Sequence, residues 1–303
     1  MTAVPRRRIL YVPGKNPKPP PAPHAEVIKR ALVHGVGRAD PQAARAIEAD
    51  PDVFRLIAWN RLYYGREREL APDLPWIEEL LRRTGPTDEE VREALSFRRR
   101  FAKFLYNFAD VFPSSLALLP DEVVRSTVEE TRRYFDDAER IGTRVREMLK
   151  QPLREATAAG TRVLLIGHSM GSVIAFDALW ELTHLEAAPA RVEMFLTIGS
   201  PLGMHFVRAR LLGHDRHGAG CYPRGVRHWV NVVAQGDLTA IDPSLHDDFG
   251  SMRKLGLVES ITDVNGGVFN YFRNEDGLNV HRSYGYLVNP RVGEVIARWW
   301  RQS

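Results

Sequence analysis

A single cysteine, Cys221, among 303 residues excludes an internal disulfide and a cysteine-based metal site. Its neighbours Gly220, Tyr222 and Pro223 read as a loop, where a catalytic thiolate would still need a basic partner. No apolar run approaches the roughly 18 residues of a membrane-spanning helix. Internal repeats and low-complexity tracts are also lacking. Neither charge sign dominates: 42 Lys and Arg stand against 38 Asp and Glu, a net charge of +4, and the signs interleave. No basic stripe accompanies a nucleic-acid-reading motif, so nucleic acid is not an expected partner. Contact with an anionic membrane surface stays open, and so does the oligomeric state. Arg6, Arg7 and Arg8 are followed only by Ile9 to Val12 before Pro13-Gly14. A secretory apolar core needs about 7 to 15 residues, so no export signal is expected and the cytoplasm is the expected compartment. The remainder is ordinary globular composition, 44% apolar and 26% charged, enough for a sizeable core.

Short apolar runs bounded by turn residues mark the strands. Ile9 to Val12 is the first, Phe54 to Trp59 the second, then Arg162 to Ile166, Val192 to Ile198 and His228 to Val233. Gly267 to Phe272 is the expected last strand. Helical patterns begin near Ala25, run from Met170 to Leu185, and close the chain from Val292 to Trp300. Alternation of buried strands with helices predicts an α/β protein with a mainly parallel sheet covered on both faces. From about Gly65 to Ala159 the pattern is long, charged and helical. Thr87 with Glu90 is a capping-box signature, and Asp121 is a candidate N-cap. Phe97, Phe101, Phe104, Phe108 and Phe112 recur at helical spacing and share one face. That face either packs on the body of the protein or lines an acyl pocket as a lid; the period alone does not choose.

Chemistry concentrates in Val163-Leu164-Leu165-Ile166-Gly167-His168-Ser169-Met170-Gly171-Ser172. Gly-x-Ser-x-Gly alone is a weak signal, but here it lies between a buried strand and a helix. Such a turn holds the serine in a strained conformation, with its hydroxyl above the sheet edge at a helix N-terminus. Unpaired N–H groups and the helix dipole there favour developing negative charge. A serine that merely N-caps the helix would not require both glycines.

This segment resembles the nucleophile elbow of lipase- and esterase-like α/β-hydrolases. Thr197-Ile198-Gly199-Ser200-Pro201-Leu202 is similar to the strand and turn that follow in that group, and Tyr11-Val12-Pro13-Gly14-Lys15 to its oxyanion-loop strand, with Pro13 where many members carry His. The likeness is scattered over most of the chain except about 65–158. It implies one α/β-hydrolase domain over 1–303, interrupted by a helical cap or lid at about 65–120. It also implies hydrolysis of a carboxylic ester, acyl or lipid-like, through an acyl-enzyme, with no cofactor or metal. Thioesterase or amidase chemistry would use the same residues, and a non-catalytic binding relative is the alternative from another class.

The resemblance implies Ser169 as nucleophile and His281, in Asn279-Val280-His281-Arg282-Ser283-Tyr284, as base. His246 is the next candidate base, and His168, inside the elbow, reads as structural. Asp237 follows a strand and is the expected acid, although Leu238 stands where Pro is common in the group. Asp263 is the alternative acid, and Asp242 a further one. The oxyanion would be held by the backbone N–H of Met170 and of Lys15, with Gly14 or Asn16 open in place of Lys15. The run His246-Asp247-Asp248 is too contiguous for its side chains to converge on one ion.

Overall fold

The computed structural model describes residues 6–96, 131–240 and 243–302. In chain order its elements are β1 (Arg7–Val12), α1 (Pro21–Ala39), α2 (Pro41–Ala49), β2 (Phe54–Leu56), α3 (Trp59–Tyr64), α4 (Leu74–Arg82) and α5 (Asp88–Ala94). There follow α6 (Ile141–Ala158), β3 (Arg162–His168), α7 (Met170–His184), β4 (Val192–Ile198), α8 (His205–Arg208) and β5 (Val226–Val232). The chain continues with α9 (Leu245–Lys254), β6 (Ser260–Val264), the paired β7 (Arg273–Asn274) and β8 (Gly277–Leu278), α10 (Ser283–Leu287) and α11 (Pro290–Arg301).

Six strands pair in the order β2-β1-β3-β4-β5-β6, all parallel. The two-residue period of a strand sends alternate side chains to opposite faces. Ile9, Tyr11, Leu164, Ile166, Leu196 and Val230 pack with α1, α2 and α11. Leu10, Val12, Val163, Leu165, Phe195 and Trp229 pack with α3, α6, α7 and α9 on the other face. Both faces are therefore dry, which is why the central strands read as predominantly apolar. The carboxyl ends of the strands form one edge, where loops gather.

The sequence patterns miss in three places. The second strand ends at Leu56, and Trp59 opens α3, where its indole N–H donates to the Pro13 carbonyl at 2.8 Å. Gly267–Phe272 is irregular; the last sheet strand is Ser260–Val264, an edge strand only partly buried. Alternation of polar Ser260, Thr262 and Asp263 with Ile261 and Val264 gave it no continuous apolar signal. Helix α1 begins at Pro21 rather than near Ala25, because proline is tolerated in a first turn where its missing N–H costs nothing. The Thr87–Glu90 capping box forms in full at the start of α5. The phenylalanine face, Asp121 and Asp242 lie outside the described residues. Among the described residues, no helix is long and apolar enough to cross a membrane.

Candidate active site

Ser169 sits between β3 and α7 with φ +51° and ψ −126°, a region that a residue with a Cβ enters only under strain. The neighbouring glycines make the turn fit. A Cβ on Gly171 would lie 2.1 Å from the Val12 carbonyl oxygen, and one on Gly167 would lie 2.6 Å from the Ser172 Cα. The start of α7 is thus pressed against the end of β1. Met170 is the first residue of α7, so its N–H has no partner within the helix. Ser172 closes the turn from inside, donating to the Ser169 carbonyl at 2.6 Å and contacting the Ser200 hydroxyl at 2.7 Å.

Asp237 follows β5 in a tight turn and is fully buried as a side chain. Its Oδ2 lies 2.8 Å from His281 Nδ1 and its Oδ1 3.1 Å away. Tyr286 donates its hydroxyl to Oδ2 at 2.6 Å, and the Thr239 N–H donates to Oδ1 at 2.9 Å. Burial alone would raise this carboxyl. The charge and hydrogen bond of His281, with those from Tyr286 and Thr239, outweigh it and hold Asp237 below the ordinary carboxylate value. A carboxylate on Nδ1 fixes the tautomer that leaves Nε2 as the basic nitrogen.

The segment carrying His281 is held at three points. His168 Nε2 lies 2.9 Å from the His281 carbonyl, the Asn279 side chain accepts from the His281 N–H at 3.2 Å, and Asn270 donates to the Arg282 carbonyl at 2.8 Å. The His168 and His281 rings are 4.9 Å apart. Burial, then the charge of His281, holds His168 well below the ordinary imidazole value, so it stays neutral and donates from Nε2 to that carbonyl. His168 therefore ties the elbow to the His281 segment.

The loop after β1 abuts the elbow. A Cβ on Gly14 would lie 3.0 Å from the Ser169 Cβ. Trp59 donates to the Pro13 carbonyl, and the Asn60 amide donates to the carbonyls of Gly14 and Asn16 at 2.8 and 2.9 Å. The Asn16 N–H donates to the Tyr64 hydroxyl at 2.9 Å, which removes it as an oxyanion donor. Lys15, Trp59, Tyr63, Tyr134, Ser169 and Met170 line one pocket, to which Trp59, Tyr63 and Tyr134 contribute aromatic walls.

Asp237 and His281 thus come together, and the other candidates go elsewhere. Asp263 accepts from the N–H groups of Leu245 and His246 at 3.0 and 2.9 Å and from the Asn231 amide at 3.0 Å, so it caps α9 rather than meeting a histidine. His246 is exposed beside Asp247. Asp248 pairs with Arg208, and among the described residues no three His, Cys, Asp or Glu side chains are grouped to hold a metal ion. Tyr286, Asn270, Trp59 and Asn60 were not singled out from the sequence. Tyr286 alone had a signal there, lying shortly beyond His281 in the short helix α10.

The all-parallel sheet, flanking helices and strand–turn–helix around Ser169 make this an α/β-hydrolase fold. Residues 126–264 match the model of the PGAP1-like alpha/beta domain. That stretch runs from ahead of α6 to the end of β6; it contains Ser169 and Asp237 and stops short of His281. Match and sheet together fit an α/β-hydrolase family and support a hydrolase of that type. No curated protein matches the chain.

Proposed function

We propose that this protein is a serine hydrolase that cleaves carboxylic esters, acyl or lipid-like, through an acyl-enzyme on Ser169. The observation that carries the reading is the pairing of buried Asp237 with His281, at 2.8 Å, at the sheet edge that also bears the strained Ser169. A serine hydroxyl is a weak nucleophile and needs a base that is itself oriented. In this reading His281 Nε2 takes the Ser169 proton as the oxygen attacks the ester carbon. Asp237 stabilises the imidazolium without taking its proton. The backbone N–H groups of Met170 and Lys15 hold the oxyanion. His281 then protonates the departing alkoxide, and water repeats the cycle to release the acid. The aromatic walls contributed by Trp59, Tyr63 and Tyr134 suit an acyl chain better than a charged one. We also take the chain as one α/β-hydrolase domain interrupted by an insertion at about 65–120, a reading supported by α4 and α5 lying between β2 and β3 in sequence.

The test is labelling with a fluorophosphonate probe followed by peptide mapping. Rapid labelling of Ser169, lost in Ser169→Ala and in His281→Ala, is the expected result. A folded wild type that stays silent, with detergent present and with a smaller probe, would sink the hydrolase reading.

A further inference from the structure

The pocket beside Ser169 is narrow. The cavity that Trp59, Tyr63, Tyr64 and Tyr134 share with Ser169 and Met170 measures about 20 Å³. A cavity holds a single water from roughly 10–15 Å³ upward, whereas sites for drug-sized ligands run to about 300–1,000 Å³. A methyl or ethyl group fits such a space, and a long acyl chain does not. The walls on α3 are braced against each other and against the backbone. The Trp59 ring centre lies 5.3 Å from that of Tyr63, and Tyr63 lies 5.0 Å from Tyr64, both edge-on. Trp59 donates to the Pro13 carbonyl at 2.8 Å, and the Tyr64 hydroxyl accepts from the Asn16 N–H at 2.9 Å. Arg133 lies 4.5 Å over the Tyr63 ring and donates to the Tyr63 carbonyl at 3.2 Å.

Tyr134 is the wall anchored most deeply. It comes from the helical turn 131–135 ahead of α6 and is 1% exposed. Its hydroxyl donates to Asp177 Oδ2 at 3.0 Å, and the Arg146 guanidinium lies 5.5 Å from its ring centre. Asp177 lies about two turns along α7 from Ser169, is 1% exposed, and accepts from the Leu212 N–H with its other oxygen at 2.9 Å. The Tyr134 ring therefore cannot turn out of the pocket without breaking a buried hydrogen bond. The proposed hydrolysis does not use Asp177, and an apolar residue at this buried place on α7 would avoid the cost of burying a carboxyl. Fixing the ring that bounds the pocket gives the carboxyl a task.

We propose that Tyr134, anchored on Asp177, sets the depth of the acyl pocket and restricts Ser169 to esters of short acids, of acetyl or propionyl size. This rests on the hydrolase reading above and narrows its substrates from acyl esters at large to short-chain ones. Tyr134 is here a specificity-determining residue, and Asp177 a positioning residue that acts through it.

The chain-length profile tests it: kcat/KM for p-nitrophenyl acetate, butyrate and octanoate, each corrected for the rate of the Ser169→Ala protein. Wild type is expected to favour acetate over octanoate by about tenfold or more. Tyr134→Ala removes the ring and is expected to move that ratio about tenfold toward octanoate, chiefly through the KM for octanoate. Tyr134→Phe keeps the ring but frees it from Asp177, and is expected to move the ratio in the same direction by less. A merely structural role would lower all three esters together and leave the ratio where it was. If Tyr134→Ala does not fold, the wild-type profile and Tyr134→Phe still decide. Octanoate cleaved as well as acetate by the wild type overturns the restriction, and a ratio unchanged in the folded variants overturns the part given to Tyr134. A wild type whose Ser169 takes the fluorophosphonate but which favours octanoate keeps the hydrolase reading and loses this one. Silence toward the probe and toward all three esters removes both.

Discussion

The Tyr286 hydroxyl donates to Asp237 Oδ2 at 2.6 Å and accepts from the Ala234 N–H at 2.9 Å, so a single oxygen both steadies the buried carboxylate and satisfies a buried backbone donor. Tyr286→Phe removes both at almost no change in volume. The orphaned Ala234 N–H is expected to cost about 1–3 kcal/mol of stability, read by urea unfolding. Asp237 keeps His281 and Thr239, so under the proposed hydrolase reading the expected loss of activity is on the order of tenfold in kcat/KM, a partial loss of the support that a charge-assisted hydrogen bond gives. Asp237→Asn is a different experiment. It keeps the shape but offers His281 Nδ1 an amide, and the wrong tautomer in a serine–histidine–aspartate arrangement costs about 10⁴ in kcat. If Tyr286→Phe matched Asp237→Asn in depth, Tyr286 would be acting on the chemistry directly rather than through the carboxylate. At this scale the sequence is legible where a pattern is local: the turn at Ser169 from its flanking glycines, the turn at Asp237 from the strand end before it. It was silent where a contact spans the fold. His168 reaching the His281 carbonyl depends on a separation of 113 residues closing in space, and no local pattern encodes that.

Helices α6 and α7 meet through ions as well as through Val145, Leu149 and Leu153. Glu181 on α7 receives Arg146 Nε at 2.8 Å and Lys150 Nζ at 2.7 Å, and all three side chains are less than 10% exposed. Lys150 also reaches Glu186 at 3.0 Å, where Arg154 joins at 2.8 Å. Burial alone would lower Lys150, but the hydrogen bonds it donates to Glu181 and Glu186 raise it above the ordinary ammonium value. Removing one partner of a buried pair leaves uncompensated charge, which typically costs about 3–5 kcal/mol. Glu181→Ala is therefore expected to destabilise by that amount, while Glu147→Ala, on the exposed rim of the same network, costs under about 1 kcal/mol. Equal losses in denaturant midpoint would show that the buried pair is no stronger than the rim. The strands that α7 covers were legible, because burial on both faces makes β3, β4 and β5 predominantly apolar. Edge strand β6 was not, since one side lacks a neighbour and polar Thr262 and Asp263 interrupt it. The stretch of α6 read only as charged and helical; the packed structure distinguishes Arg146 and Lys150, which face Glu181, from Arg144, whose charge sits outside.

Across the whole molecule, buried titratable groups pull stability in opposite directions with pH. His24 is held near 3, and His168 well below the ordinary imidazole value, both chiefly by burial. Each prefers to be neutral in the folded chain, so its contribution is complete above about pH 6.5 and drains away as pH falls toward the native value. Asp177, one face of α7 away from the site, behaves in reverse. Burial pushes it up to about 7, against the Leu212 N–H, Arg146 and Tyr134. The folded protein thus binds a proton there that the unfolded chain, titrating near 3.8, has released. Its contribution is complete below about pH 4, is lost as pH rises to about 7, and is level above that. Between these limits the histidines and Asp177 oppose each other, which flattens the curve of the wild type. Asp177→Asn separates them. The amide keeps an oxygen for the Leu212 N–H, at 2.9 Å in the wild type, and an N–H₂ that the Tyr134 hydroxyl can accept. The variant's stability relative to wild type is expected to climb by up to a few kcal/mol between pH 4 and 7, with a slope of at most about 1.4 kcal/mol for each pH unit, and then to stay level. Its own curve should fall more steeply below pH 6.5, since the histidines then act unopposed. Urea unfolding of both proteins at half-unit steps from pH 4.5 to 8 reads this directly. Parallel curves would mean that Asp177 is ionised throughout, and that Arg146, rather than a proton, is what balances it.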